Sequence, residues 1–518
     1  MNSDEKTISL LLSFILLISG CACAAYASED YSLSLRTPMI MIHGTSNTVY
    51  DTPEGEVALY DDGEYISKLI PDGIPMLAKG LLTGCWDDWT TLFLETMAPA
   101  YEHYAPALDG AVPEGSHSNL YNPDNDGYSW NYWPYERMSP LDTADEIAEL
   151  IDELRASTGC EKVVVIGRCE GSAYATAYVD KYERPRNYSG LKAFILSDPA
   201  MNGVHYVEGI FSGNVYIDGT DLQNFIKSEA TLKNLLGPDA GETIELIMKA
   251  ADILKNTYGI ELTAAVVNRM YRQLKDPLFA PFLRMYYARG LGAWSTVYQR
   301  FDEAVEYLFP TDELKEEYSY FIDKASAFRE VAASLPEMVS GMQDAGVVFA
   351  DIVEYGFPMY PLSKDACEVG DNLTGVRYKG FGAECSRLDG ALSEKYITER
   401  TEAGFGAYVS PDRQIDASTG LFPDNTWYVK NVNHAIPDQI YAMYDALGND
   451  DITDVFADER YPQFLNYDPA EPTFLPATEA DAAVEPIQYN FIEKIKNFFR
   501  AVTERIRAII ESIADAIR

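Results

Sequence analysis

Residues 163–174 read VVVIGRCEGSAY, and their reading decides the fold. Val163, Val164, Val165 and Ile166 make an apolar, β-branched run of the length of a buried strand. Gly167 and Gly171 bracket a tight turn, and small residues from Ser172 onward suit a closely packed helix. A strand, turn and helix in that order hold the residue between the glycines on a strained corner, its side chain presented and the next backbone N–H beside it. Serine is the usual occupant of that corner. Here it is Cys169.

Working outward, strand-like runs alternate with helical ones from Pro38 to about Pro199: PMIMIHG (38–44), a helical stretch from Asp142 to Ser157, VVVIG, a helix from Ser172, and AFILSDPA (193–200). That alternation predicts an α/β fold, a mostly parallel sheet flanked by helices. Residues 205–399 are richer in helical pattern, so a large helical cap is expected to separate a first core segment (36–204) from a second (400–466), in which GAYVS (406–410) and TWYVKN (426–431) resume the sheet. Residues 467–486, rich in Pro, Ala and acid, read as a linker. Beyond it, Phe491, Ile492, Ile495, Phe498, Phe499, Val502, Ile506, Ile509, Ile510, Ile513 and Ile517 recur at three- and four-residue steps, the pattern of an amphipathic helix over 487–518. Its polar face carries Lys494, Lys496, Arg500, Arg505, Arg507 and Arg518. Two readings of it stay open: a helix lying in a lipid interface through residues 491–518, or one docked on the body or a second copy.

Among the 518 residues, 40 Lys+Arg face 81 Asp+Glu, a net charge of −41 that argues against nucleic acid as a partner and confines any membrane contact to a local segment. At the N-terminus, the apolar run ISLLLSFILLISG (8–20) followed by CACAAYAS is a signal-peptide pattern, with Ala25-Tyr26-Ala27 as a cleavage site, so residues 1–27 are expected to be removed and the protein secreted or held at the cell surface. ISGC ending at Cys21 also matches a lipobox, which leaves lipidation at Cys21 open beside simple cleavage. Five cysteines follow: Cys85, Cys160, Cys169, Cys367 and Cys385. In an oxidising compartment Cys367 and Cys385 are the expected pair, and Cys169 the free thiol; the alternative is that several of the five are simply buried and reduced. NPDNDG (122–127) is better read as an Asx turn than as a calcium loop, and no cofactor or metal is called for.

A thiol on such a corner needs a base. The histidines are His43, His103, His117, His205 and His434, and in the order nucleophile, acid, histidine only His434 comes late enough. For the acid, Asp412 follows GAYVS directly, where a carboxylate can take the imidazole N–H; Asp416 is the alternative, and either also fits plain turn chemistry. The backbone N–H groups of Thr45, after the strand ending in His43-Gly44, and of Glu170 are candidate oxyanion donors.

IHGT, then YWPYERMSPLDTADEIAELIDELRASTGCEKVVVIGRCEG, then IDASTGLFPDNTWYVKNVNHA resemble the α/β-hydrolase superfamily, in particular lipases similar to lecithin:cholesterol acyltransferase. There an FPYDWR-type motif, whose counterpart is WPYER (133–137), precedes a long helix and a KKVVLIGHSMGG-type corner. The likeness covers roughly 36–200 and 405–445 and puts Cys169, Asp412 and His434 in the triad places. GRCEG departs from GHSxG, and a cysteine there resembles the dienelactone hydrolases. The resemblance implies a lipase- or esterase-like acyl hydrolase acting on an acyl ester or lipid through a thioester. An acyltransferase of the same fold, or a non-catalytic cell-surface binding protein derived from a hydrolase, is the alternative.

Overall fold

The strand-like run at the centre of the sequence becomes the centre of a sheet. In the computed structural model the main sheet contains β1 (Met39–Ile42), β2 (Ser129–Tyr132), β3 (Val163–Arg168), β4 (Leu191–Ser197), β5 (Val348–Tyr355), β6 (Thr426–Lys430), β7 (Phe464–Asp468) and β8 (Thr473–Pro476). They lie side by side in the order β8–β7–β6–β5–β4–β3–β1–β2. Every neighbouring pair is parallel except β7 with β8. The structure describes residues 37–482 other than 45–47, 54, 59–72, 74, 78, 81–82, 99–103, 119–126, 229–258, 435–436, 451 and 471. The expected signal peptide with Cys21, Thr45, His103, most of NPDNDG and the amphipathic C-terminal segment lie outside the described residues.

A parallel sheet must bury both faces, so its strands cannot alternate apolar with polar. β1 and β3 illustrate this. Ile40, Ile42, Val163 and Val165 face one apolar layer, while Met39, Met41, Val164 and Ile166 face the other. The first layer is closed by α1 (Pro140–Thr158) and α2 (Gly171–Tyr178) and by α3 (Ser319–Ala333); the second is closed by α4 (Ile440–Asn449). α1 carries its own signals. The Ser139 hydroxyl accepts from the Leu141 N–H at 3.3 Å, Pro140 opens the first turn, and Gly159 closes the helix at φ +71°. Ile147, Ile151 and Leu154 bury its inner stripe.

Three expectations are corrected. The stretch 205–399 is not wholly helical: β5, a central strand, runs through it, and the helices between β4 and β5 end at Asp344. GAYVS does not resume the sheet; Gly406–Tyr408 is a short 3-10 turn, and Val409 makes a single bridge to Asp416. Nor is 467–486 a free linker, because β7 and β8 pair within and beside it, with Leu465 opposite Pro476. Proline is tolerated on β8 because an edge strand leaves one row of backbone groups unpaired. TWYVKN, by contrast, does form β6.

Candidate active site

The turn after β3 is held by close backbone approach. Cys169 has φ +54°, a left-handed conformation that strains a residue with a side chain and is kept only by its surroundings. Those surroundings are specific: the Cys169 N–H donates to Ser197 O at 3.0 Å, and Cys169 O accepts from the Ala200 N–H at 3.1 Å and the Ser172 hydroxyl at 2.6 Å. The flanking glycines are required. A Cβ on Gly171 would lie 2.0 Å from Ile42 O, and one on Gly167 2.8 Å from Ala175 Cβ. Cys169 is 7 % exposed and a free thiol.

The loop after β1 crosses this corner. A Cβ on Gly44 would lie 2.9 Å from the Glu170 nitrogen and 3.1 Å from Cys169 Sγ, so only glycine lets the chain pass there. The Glu170 nitrogen and the sulfur thus border the same small space beside Gly44, the arrangement an oxyanion donor next to the nucleophile calls for. Thr45, the other expected donor, follows Gly44 directly but is outside the described residues. His43 is not part of the site's proton chemistry. It stacks on Trp133 of WPYER at 4.1 Å, its Nε2 meets Asn131 Oδ1 at 2.8 Å, and burial pushes its pKa down to about 3. His205, likewise buried, is lowered to about 4, and His117 is half-exposed on a small separate sheet.

His434, in the loop after β6, is where the sequence reading placed the base, and its charge couples to that of Cys169. Its acid is a different residue from the one expected. His434 Nδ1 lies 2.6 Å from Asp371 Oδ2, and the His434 N–H donates to Asp371 O at 2.8 Å. Asp371 sits in the long connection after β5, its other carboxylate oxygen accepting from the N–H groups of Leu373 at 2.9 Å and Thr374 at 2.7 Å. Such an Asx turn fixes the carboxylate before the imidazole meets it. Asp412 is buried but committed elsewhere, to Lys430 Nζ at 2.8 Å, the Tyr355 hydroxyl at 3.1 Å and the Ser410 hydroxyl at 2.6 Å. Asp416 accepts from the Tyr396 hydroxyl and pairs with Arg400, both at 2.8 Å. Sequence order favours Asp412 only if GAYVS is the preceding strand; β5 is that strand, and Asp371 follows it.

Two further buried groups complete the cluster. Asp198, just past β4, lies 3.4 Å from His434 Nδ1, and Lys379 Nζ reaches Asp371 at 3.2 Å, Asp198 and the Glu354 carbonyl oxygen. Arg168 donates to the His434 carbonyl oxygen. Burial alone would lower the imidazole pKa, but the charge at Cys169 and the carboxylates of Asp371 and Asp198 hold it well above its ordinary value. Burial would raise the Asp371 carboxyl, yet Lys379 and His434 keep it well below the usual carboxylate range. Neither Asp198 nor Lys379 was singled out from sequence. The available signal was Asp198 at the end of a strand neighbouring the Cys169 strand.

On its other side Cys169 belongs to an apolar cluster with Ala200, Val204, Tyr206, Leu291 and Trp294, most of it supplied by the helices between β4 and β5. All five described cysteines are free thiols, so the expected Cys367–Cys385 pair is not formed; burial and Glu368 push the Cys385 thiol well up. No protein-family model matches the chain, and no curated protein matches it. What is established is the class: a mostly parallel eight-stranded α/β protein, its sheet flanked by helices.

Proposed function

We propose that the chain is a hydrolase of the α/β-hydrolase type that cleaves carboxylic esters of apolar acyl groups through Cys169, His434 and Asp371. The observation that carries this reading is Cys169 held at φ +54° beside the Glu170 N–H, with the imidazole of His434 bound to a buried carboxylate at 2.6 Å. A thiolate beside an imidazolium attacks the ester carbonyl, and the developing oxyanion is met by the Glu170 N–H. The imidazolium returns its proton to the leaving alkoxide. Neutral His434 then takes a proton from water, whose oxygen attacks the thioester and releases the acid, regenerating the pair. The apolar cluster around Cys169 suits an acyl chain better than a charged acid, and the helices that supply it take the place of a cap.

Export and a lipid surface complete the proposal. The signal pattern at 1–27 would carry the chain out, and residues 491–518 would bring a body of charge −41 to its substrate's interface. No helix among the described residues is long and apolar enough to cross a membrane. Trapping with a thiol-directed acyl probe tests the chemistry: labelling at Cys169 is expected in the native protein and should vanish on denaturation and in Cys169→Ala. Probe turnover that persists in Cys169→Ala would remove the assignment.

A further inference from the structure

The buried cluster holds one carboxylate more than a nucleophile, a histidine and an acid require. Asp371 and Asp198 both face His434 Nδ1, at 2.6 and 3.4 Å, Asp198 from the end of β4 and Asp371 from the long connection after β5. Asp198 is 1 % exposed and sits at φ +51°, a left-handed conformation that aspartate tolerates better than most residues but that still strains it. Its Oδ1 is pinned by the Glu354 N–H, at 3.2 Å, and by Lys379, which leaves Oδ2 as the oxygen that faces His434 Nδ1 at 3.4 Å. The remaining titratable groups around it are Asp351 on β5 and Tyr444 on α4; Glu354 turns its carboxylate toward the Ser197 hydroxyl at 3.5 Å. Among the described residues, the charge-bearing groups at His434 are the two acids, Cys169 and the Arg168 guanidinium on its carbonyl oxygen. Asp371 and Asp198 share a single lysine, Lys379, and Arg168 reaches only the His434 carbonyl oxygen, so the negative charge facing Nδ1 is met most directly by an imidazolium.

We infer that Asp198 is a second carboxylate for His434, a positioning residue that keeps the imidazole charged and so fits the site to a thiolate and not to a hydroxyl. This rests on Cys169 being the nucleophile. The chemistry differs between the two atoms. A serine hydroxyl must give up its proton to a neutral imidazole during attack, so an imidazole already holding a proton is no base for it. A thiol transfers its proton from Sγ to the imidazole before substrate arrives, and the resulting thiolate is the reactive species. The proton is then in place for the leaving group. Burial and the neighbouring Asp371 push Asp198 up to about 6, with Lys379 opposing, so the support for the imidazolium weakens below that pH.

Site-resolved alkylation of Cys169 by iodoacetamide in the full chain, followed by mass spectrometry from pH 5 to 9, reads this without any ester. In the native protein, where Asp198 supports the imidazolium that pairs with the thiolate, Cys169 should alkylate faster than in Asp198→Asn in the acid half of this range. Asp198→Asn should move the inflection up by about one unit or more, cutting the rate at pH 6.5 about tenfold. An unchanged profile in folded Asp198→Asn overturns the inference. Should that variant not fold, Cys169→Ser decides alone: with the thiolate gone and both carboxylates kept, fluorophosphonate labelling should still rise with pH above 7, whereas a plateau already reached at pH 7 overturns the inference. Failure of ester hydrolysis would sink the proposed function and leave these profiles untouched.

Discussion

Replacing Asp371 by asparagine separates the acid the structure supplies from the one sequence order suggests. The Asx turn should survive, because an amide oxygen can still accept from Leu373 and Thr374, which bond Oδ1 at 2.9 and 2.7 Å. What is lost is a charge, with an NH2 set against Nδ1–H where the carboxylate oxygen stood at 2.6 Å. One unit charge at about 4 Å and an effective dielectric of about 20 is worth about 4 kcal/mol, or about three decades in rate. Asp198, 3.4 Å from the same nitrogen, keeps part of that. The expected fall in kcat/KM for a soluble short-chain nitrophenyl ester is therefore about a hundredfold to a thousandfold. Asp412→Asn is the matched control: it removes the buried charge that pairs with Lys430 and should cost about 3 kcal/mol of stability in urea unfolding, while the rate per folded molecule stays within about threefold. A crippled Asp412→Asn beside an active Asp371→Asn would refute the reasoning.

Gly171→Ala should fail to fold or lose well over about 3 kcal/mol in a thermal or urea melt, because its Cβ would sit 2.0 Å from the Ile42 carbonyl oxygen, a backbone atom that cannot yield. A variant as stable as the parent would show that the turn after β3 is looser than described. Glu208 gives a pH signature away from the site. Burial pushes it up to about 7 against the N–H groups of Gln299, Arg300 and Tyr298. Its folded pKa lies above its unfolded one, so the folded state binds the proton more tightly and stability falls as pH rises from about 4.5 through 7, by up to about 3 kcal/mol. Glu208→Gln keeps an acceptor for those N–H groups and should flatten that decline when urea unfolding is compared at pH 5 and pH 8; an unaltered slope would assign the decline to other groups. Truncation after Pro486 should weaken liposome co-sedimentation and spare soluble-ester hydrolysis; loss of both would make the C-terminal segment part of the body.

The residues that carry local signals could be read without a structure. VVVIG could hardly be other than a buried strand, Ser139, Pro140 and Gly159 bound α1, Gly167 and Gly171 permit the turn at Cys169, and His434 was reached by elimination among five histidines. β5 escaped because all eight of its residues are buried, which removes alternation, while Asp351 and Glu354 interrupt the apolar run that would otherwise have marked it. β8 escaped because its proline reads as a breaker, though an edge position tolerates it. The acid at His434 was beyond any local pattern. Asp371 and Asp412 are both aspartates in turns, and nothing in their neighbours distinguishes them. The tertiary structure decides, since the sheet order brings the connection after β5 beside the loop after β6 and sends Asp412 to Lys430 instead. The convergence of Asp198, Asp371, Lys379 and His434 is of the same kind: four charges from segments up to 236 residues apart, meeting because burial leaves each of them no other partner strong enough to offset its desolvation.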